Sequence, residues 1–198
     1  MVINEDILHS VGANIKEYKA SENIFNEGDY PNYYYQIITG EVKLNNYNED
    51  GKESIQTLLE SGESIGESML FMDKHYPMNA TAITNCEIFK LPKHVFFNLL
   101  KECPEISQDI NVFLSQRVYY GLIMSQNLGN QNPAAKLKTL MDYLKSFQEE
   151  QSPYSFRVPL TRQQMASLTG LCVETTIRTI KGMERDQLVR IKDRKILY

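Results

Sequence analysis

The sequence predicts an α+β chain in two parts, a small antiparallel β-barrel followed by helices that end in a compact helical unit with a terminal hairpin. Three observations carry this prediction. Glycines at Gly28-Asp29, Gly40, Asp50-Gly51, Gly62 and Gly66 fall every four to twelve residues and separate short segments rich in Tyr, Ile and Val, the rhythm of a small barrel or sandwich. From Pro92 onward apolar residues recur at steps of three and four, the helical period. The charge divides with the pattern: residues 1–132 carry 9 Lys+Arg against 18 Asp+Glu, and residues 133–198 carry 12 against 7. An acidic front and a basic back are expected where only the back meets phosphate, although two solvated surfaces can differ by chance.

The elements follow in order. Residues 1–18 read as a helix, with Ile7, Leu8, Val11 and Ile15 at helical spacing. Strands are expected at Tyr33–Ile38, Val42–Tyr47 and Ser54–Leu59, and a further pair within Ala80–Leu91. Pro92 opens a short helix over Lys93–Leu100, and Pro104 opens a long one to about Leu128. The long helix places Ile106, Ile110, Phe113, Leu114, Tyr120, Met124 and Leu128 in a narrow stripe, with a skip at Arg117. Such a stripe calls for a partner helix, and residues 106–128 are expected to pair a homodimer. Gly129–Pro133 breaks the pattern. A helix over Ala134–Phe147 and a polar loop at Glu149–Ser155 follow. The expected organisation is residues 1–103 as the barrel with flanking helices, 104–132 as the long helix and hinge, and 133–198 as the final unit.

The sharpest signal is Leu160–Arg185. Thr161 suits the N-cap of a helix over 162–168, Ala166 is small where a second helix must cross, and Gly170 suits a turn with positive φ. A second amphipathic helix then runs to about Arg185. This is the pattern of a helix-turn-helix. Thr176, Ile180 and Met183 share the core face of the second helix. Val173, Glu174, Ile177, Arg178 and Lys181 make the opposite stripe. Arg178 suits a guanine edge, Glu174 a cytosine amino group, and Val173 and Ile177 thymine methyls. Thr161, Arg162, Gln163, Thr175, Lys181 and Lys192 are the expected phosphate contacts. The competing reading of Glu174 and Arg178 is an i,i+4 surface ion pair. Leu188–Ile191 and Lys195–Tyr198, around Lys192-Asp193-Arg194, read as a wing.

Together these residues resemble the Crp/Fnr family of bacterial transcription factors over nearly the whole chain. The match is tightest at Thr161-Arg162-Gln163, the Gly170 turn, Glu174-Thr175, Arg178 and Lys181. Val173 stands where the family's type member has arginine, so the preferred DNA site is expected to differ. The resemblance implies a jelly-roll barrel of the cyclic-nucleotide-binding type, a long dimerisation helix and a C-terminal winged helix. It also implies a homodimer on near-palindromic double-stranded DNA, with RNA polymerase as a candidate protein partner. Ile65-Gly66-Glu67 matches the start of the family's phosphate-binding cassette, and the implied effector pocket comprises Gly66, Glu67, Ser68, Met78, Asn79, Gly121 and Leu122.

That pocket departs from the pattern. Met78 occupies the position of the arginine that neutralises a cyclic phosphate, and Asn79 that of a hydroxyl residue. Gly121 and Leu122 replace the hydroxyl side chains that meet adenine. Cyclic AMP is therefore not expected as a ligand, no cofactor is predicted, and an unknown small molecule stays open. Residues 1–40 hold no cysteine for an iron–sulfur cluster. His9, His75 and His94 are scattered, and Cys86, Cys103 and Cys172 show no close spacing. A cytoplasmic, non-membrane chain is expected. A cupin-like barrel enzyme needs HxH-type metal ligands, which are missing from the sequence. A ligand-binding module acting through protein partners would leave Glu174 and Arg178 unexplained.

Overall fold

The computed structural model describes residues 2–198 apart from 52 and 73; the side chain of Leu128 also lies outside the described residues. The chain forms two compact units, Met1–Arg117 and Val118–Tyr198. The first holds α1 (Glu5–Ser10), β1 (Asn14–Tyr18), β2 (Asn23–Phe25), β3 (Tyr33–Thr39), β4 (Val42–Tyr47), β5 (Glu53–Leu59), a 3₁₀ turn (Glu67–Phe71), β6 (Asn79–Ala82), β7 (Cys86–Pro92), α2 (Lys93–Glu102) and the start of α3 (Pro104–Leu128). The strands make an antiparallel three-stranded sheet, β1-β7-β3, and an antiparallel four-stranded sheet, β2-β6-β4-β5.

Both faces of β3 and β7 are covered. Tyr35, Ile37, Cys86 and Ile88 join Val42, Leu44 and Leu59 in the barrel interior. Tyr34, Phe89 and Leu91 instead meet Leu8 of α1, Phe96 and Leu99 of α2, and Ile106 and Ile110 of α3. Adjacent strand residues point to opposite faces, so a strand buried twice reads as a nearly continuous apolar run. The exception is Gln36, which is fully buried. Its Oε1 accepts from the Ile3 N–H (2.9 Å) and the Tyr34 hydroxyl (2.7 Å), while its Nε2 donates to the Ile3 carbonyl (2.7 Å). One side chain thus satisfies the backbone of the N-terminal segment where water cannot.

The first eighteen residues are not one helix. The helix ends at Ser10, Gly12 takes φ 81°, and Asn14–Tyr18 pairs antiparallel with β7. The helical spacing of Ile15 was a coincidence of period: it lies on an edge strand and is half exposed. β2, three residues long with an irregular register against β6, was too short to show a pattern.

The stripe on α3 also requires correction. Ile106 and Ile110 are buried against the barrel's outer cluster, and Phe113 and Leu114 pack beside them. Met124 is buried, and the Tyr120 ring lies 4.9 Å from that of Tyr143 in the second unit. These residues are used within the chain. The large apolar side chains that α3 leaves exposed are Val112, Val118, Tyr119 and Leu122. The compact units divide inside this helix, while residues 129–132 separate it from α4 (Pro133–Lys145).

The second unit continues with α5 (Arg162–Thr169), α6 (Val173–Arg185), β8 (Arg190–Lys192) and β9 (Lys195–Leu197). Asn132 caps α4 by accepting from the Ala134 and Ala135 N–H groups (2.9 and 3.4 Å), with proline in the first turn. Lys145, near the end of α4, is buried and donates to the carbonyls of Ser152 (2.7 Å) and Tyr198 (3.0 Å). Its cation holds both the loop after the helix and the chain end. Gln36→Leu should lower stability by about 1–3 kcal/mol, because the Ile3 backbone and the Tyr34 hydroxyl lose buried partners. Urea unfolding measures this, and an unchanged midpoint would contradict the role assigned to Gln36.

Candidate nucleic-acid interface

The helix pair is fixed by local chemistry. The Thr161 hydroxyl accepts from the Gln164 N–H (3.1 Å), and the Gln164 side chain accepts from the Thr161 N–H (2.8 Å). This capping box satisfies backbone donors at the start of α5. Gly170 closes α5 in the left-handed region, at φ 68° and ψ 19°, where a side chain would be strained. The turn is then short enough to start α6 at Val173.

α6 divides cleanly. Thr176, Ile180 and Met183 are buried at 0–2% exposure. Glu174, Ile177, Arg178 and Lys181 are exposed on the other side, and Val173 is half-buried. Among the described residues Glu174 and Arg178 form no ion pair with each other, so the surface-pair reading finds no support. Thr175 is partly buried, and its hydroxyl accepts from the Cys172 thiol (3.0 Å). When Cys172 is ionised, the Thr175 hydroxyl and N–H can donate to its thiolate, which lowers the thiol from its ordinary value.

The wing is a two-residue hairpin. Asp193 and Arg194 both take positive φ, 49° and 62°, the geometry of a tight antiparallel turn. The Ile191 N–H donates to Glu184 (2.9 Å), which ties the wing to α6. The Arg162 guanidinium donates to the Arg194 carbonyl, so this expected phosphate contact also fastens the first helix to the wing tip. Lys192 is exposed there. Arg194 and Lys195, exposed beside it, were not among the expected phosphate contacts, although the run Lys192–Lys195 carries three cations. A third strand-like segment pairs with β9 through Val158 N–H to the Ile196 carbonyl (2.9 Å) and Tyr198 N–H to the Phe156 carbonyl (2.8 Å). Pro153 and Pro159 mask it in the sequence.

The expected effector residues fall in the first unit or on α3. Gly66 sits in the left-handed region at φ 66°, and a Cβ there would fall 2.8 Å from both the Phe25 and Tyr76 rings. Those rings stack at 3.6 Å. Glu67 is buried, accepts from the Ser64 hydroxyl (2.8 Å), and lies 3.8 Å from Arg117, which donates to the Ser64 carbonyl (2.8 Å). Arg117 was the skip in the apolar stripe of α3, and that interruption was the signal for this network. Ser68 is half-buried in the 3₁₀ turn, and Met78 packs against the barrel interior. The Asn79 amide is engaged by the barrel itself: its oxygen accepts from the Glu27 N–H (2.9 Å) and its nitrogen donates to the Asn45 carbonyl (3.3 Å). Gly121 and Leu122 are both exposed.

A capped helix, a glycine turn, a second helix with one buried and one charged face, and a basic wing define a winged helix-turn-helix, the DNA-binding element of a transcription regulator. Comparison with known proteins agrees. Residues 15–103 match the cyclic nucleotide-binding domain and residues 137–198 the Crp-like helix-turn-helix domain. The chain belongs to the Crp/Fnr family of transcription regulators, which is not an enzyme class.

It is 27% identical over 186 residues to the cAMP-activated global transcriptional regulator CRP of Haemophilus influenzae, covering 92% of this chain and 83% of that one. It is 25% identical over 183 residues to the fumarate and nitrate reduction regulatory protein of Vibrio cholerae, covering 91% and 73%. Among solved structures it resembles the c-di-GMP responsive regulator CLP of Xanthomonas campestris, with a TM-score of 0.77, 22% identity, and 97% and 96% of the chains covered. A CooA mutant from Carboxydothermus hydrogenoformans gives a TM-score of 0.83 at 15% identity, covering 98% and 87%. Among the described residues no helix is long and apolar enough to cross a membrane, and no group of three or more His, Cys, Asp or Glu is placed to hold a metal.

Thr161→Ala should cost roughly 1 kcal/mol of stability through the lost capping box. Thermal unfolding monitored by circular dichroism measures it, and a gain in stability would contradict the cap.

Proposed function

We propose that this chain regulates transcription as a homodimer that reads near-palindromic DNA through α6 and is not switched by cyclic AMP. The observation that carries the reading is the partition of α6: three side chains anchor it, and Glu174, Ile177 and Arg178 stand free on the opposite face. Arg178 pairs with a guanine edge and Glu174 accepts from a cytosine amino group, with Val173 and Ile177 against thymine methyls. Thr161, Gln163, Thr175, Lys181 and Lys192 position the unit on phosphates, with Arg162 divided between phosphate and the wing. RNA polymerase is the candidate partner on DNA.

Dimerisation is supported by the exposed side chains of α3. Val112, Tyr119 and Leu122 follow spacings of seven and three, the repeat of a helical seam. Four large apolar groups on one helix call for cover, and a second copy of α3 supplies it symmetrically.

Independence from cyclic AMP rests on the cassette. Met78 offers no charge to a cyclic phosphate, Asn79 is occupied, and the rings of Phe25 and Tyr76 press against Gly66. Loss of the arginine contact alone removes roughly 1.5–3 kcal/mol of binding. The cyclic nucleotide therefore does not fit these residues as it fits a nucleotide-responsive relative.

Three measurements follow. On a duplex carrying the preferred half-site, Arg178→Ala should weaken binding by about 1–3 kcal/mol and relax the preference at one base pair; unchanged affinity and preference would remove Arg178 from base reading. In sedimentation the wild-type chain should be a dimer and Tyr119→Lys with Leu122→Lys a folded monomer, whereas a wild-type monomer or a dimeric double variant would refute the seam. Cyclic AMP should leave the melting temperature flat, and a saturable rise would overturn the reading of Met78.

A further inference from the structure

The second unit contains both the exposed apolar residues Val118, Tyr119 and Leu122 of α3 and the reading helix α6. The chain joins α3 to α4 through residues 129–132. Four residues led by Gly129 do not by themselves fix the angle between two helices. Side chains across the joint do. Met124 is buried, and the Tyr120 ring lies 4.9 Å from that of Tyr143 on α4. Apolar burial of this kind is non-directional. Asn127 is different. It is 6% exposed, and its Nδ2 donates to the carbonyl of Lys136 in the first turn of α4 (2.9 Å). Lys136 continues the line, since its ammonium donates to the carbonyl of Thr169, the last residue of α5 (3.2 Å). Thr169 is buried, and Gly170 and α6 follow it. Two hydrogen bonds thus run from the end of α3 through α4 to the turn that sets α6.

Packing does not explain Asn127. Its Oδ1 is buried and, among the described residues, has no hydrogen-bond partner. An unbonded buried amide oxygen loses its hydration and gains no bond in return. A leucine has the same branched outline and no oxygen to strand. The amide is accounted for by its directed bond to Lys136. A lone buried asparagine fixes register between coiled-coil helices in the same way, at some loss of stability. Lys136 serves the other end of the line. A helix leaves its last carbonyls without partners, and a cation there also meets the negative end of the helix dipole.

We propose that Asn127 and Lys136 are positioning residues that set the separation of the two half-sites this protein accepts. This rests on the reading of the chain as a DNA-binding homodimer and adds to it. α6 selects the bases, and the line from Asn127 through Lys136 to Thr169 selects their spacing. Neither side chain needs to touch DNA. In a two-fold dimer each α6 held at a fixed angle from the α3 seam lies at a fixed distance from the other α6. One base pair more or less between half-sites is a shift of about 3.4 Å and a turn of roughly 35°. A joint held by two directed bonds resists that change, whereas one held by apolar contact alone yields to it.

The test measures binding of the protein to duplexes that share both half-sites and differ only in the spacer. One has the length the wild type prefers, one is a base pair shorter and one a base pair longer. The wild type should lose about tenfold in affinity at either altered length, the equivalent of roughly one buried hydrogen bond. Asn127→Leu and Lys136→Met should bind the preferred duplex within about threefold of the wild type, and should lose no more than about threefold at the altered lengths. Lys136→Arg, which can still donate to the Thr169 carbonyl, should keep the wild-type discrimination. Base preference within each half-site should be the same in every one of these proteins. Thermal unfolding should find Asn127→Leu as stable as the wild type or more so, because a stranded oxygen is removed. Equal discrimination between spacers in the wild type and both variants overturns the proposal. So does an Asn127→Leu chain that is less stable or reads different bases, since the amide would then be a structural prop. A wild-type chain with no preference for paired half-sites overturns the dimer reading itself, and this proposal with it, before any variant is made.

Discussion

A helix can report on base identity only if its own position is settled before it meets the groove. In this chain that condition falls on the buried face of α6. Thr176, Ile180 and Met183 are almost wholly removed from water, and the Thr176 hydroxyl returns to the Cys172 carbonyl at 3.1 Å. The neighbouring restraints act on the same body: the capping box of α5, the left-handed Gly170, the Lys136 ammonium on the Thr169 carbonyl at 3.2 Å, and Glu184 on the wing. Each is a bond of ordinary strength. Together they leave Glu174, Ile177, Arg178 and Lys181 exposed on the face away from that core.

The barrel obeys a different constraint. β3 and β7 are buried on both faces, so they serve at once as the wall of the interior and the floor for three helices. Gln36 makes this arrangement tolerable by satisfying the N-terminal backbone within it. On the interior side, the Phe25 and Tyr76 rings stand so close to Gly66 that a Cβ there would fall 2.8 Å from both. Glu67 remains but is engaged by Ser64 and Arg117. The barrel thus has the fold of a cyclic nucleotide-binding domain, with Glu67 and Asn79 hydrogen-bonded within the protein.

The sequence made some of this legible and hid the rest for physical reasons. The helix-turn-helix could be read because its signals are local: a cap, a glycine with a required φ, and a helical period within thirty residues. The strands β3, β4 and β5 were legible from glycine spacing. The N-terminal helix was extended too far, since Ile15 fits a period of 3.6 and a strand equally well. The stripe on α3 was real, but its period does not say whether a core or a second chain covers it. Packing assigns Ile106, Ile110 and Met124 to this chain and leaves Val112, Tyr119 and Leu122 exposed. The methionine at position 78 was visible, whereas the burial of the Tyr18 and Tyr76 hydroxyls was not. Tyr18 lies on β1 and Tyr76 in the loop before β6, so only the tertiary fold buries them in one core.

The central claim, that α6 presented by a symmetric pair of chains reads DNA sequence, is tested most directly by selecting bound duplexes from a random pool with the purified protein. The account predicts enrichment of an inverted repeat whose half-site centres lie about one helical turn, or a multiple of it, apart. A single unpaired half-site, or no enrichment over the starting pool, would contradict it.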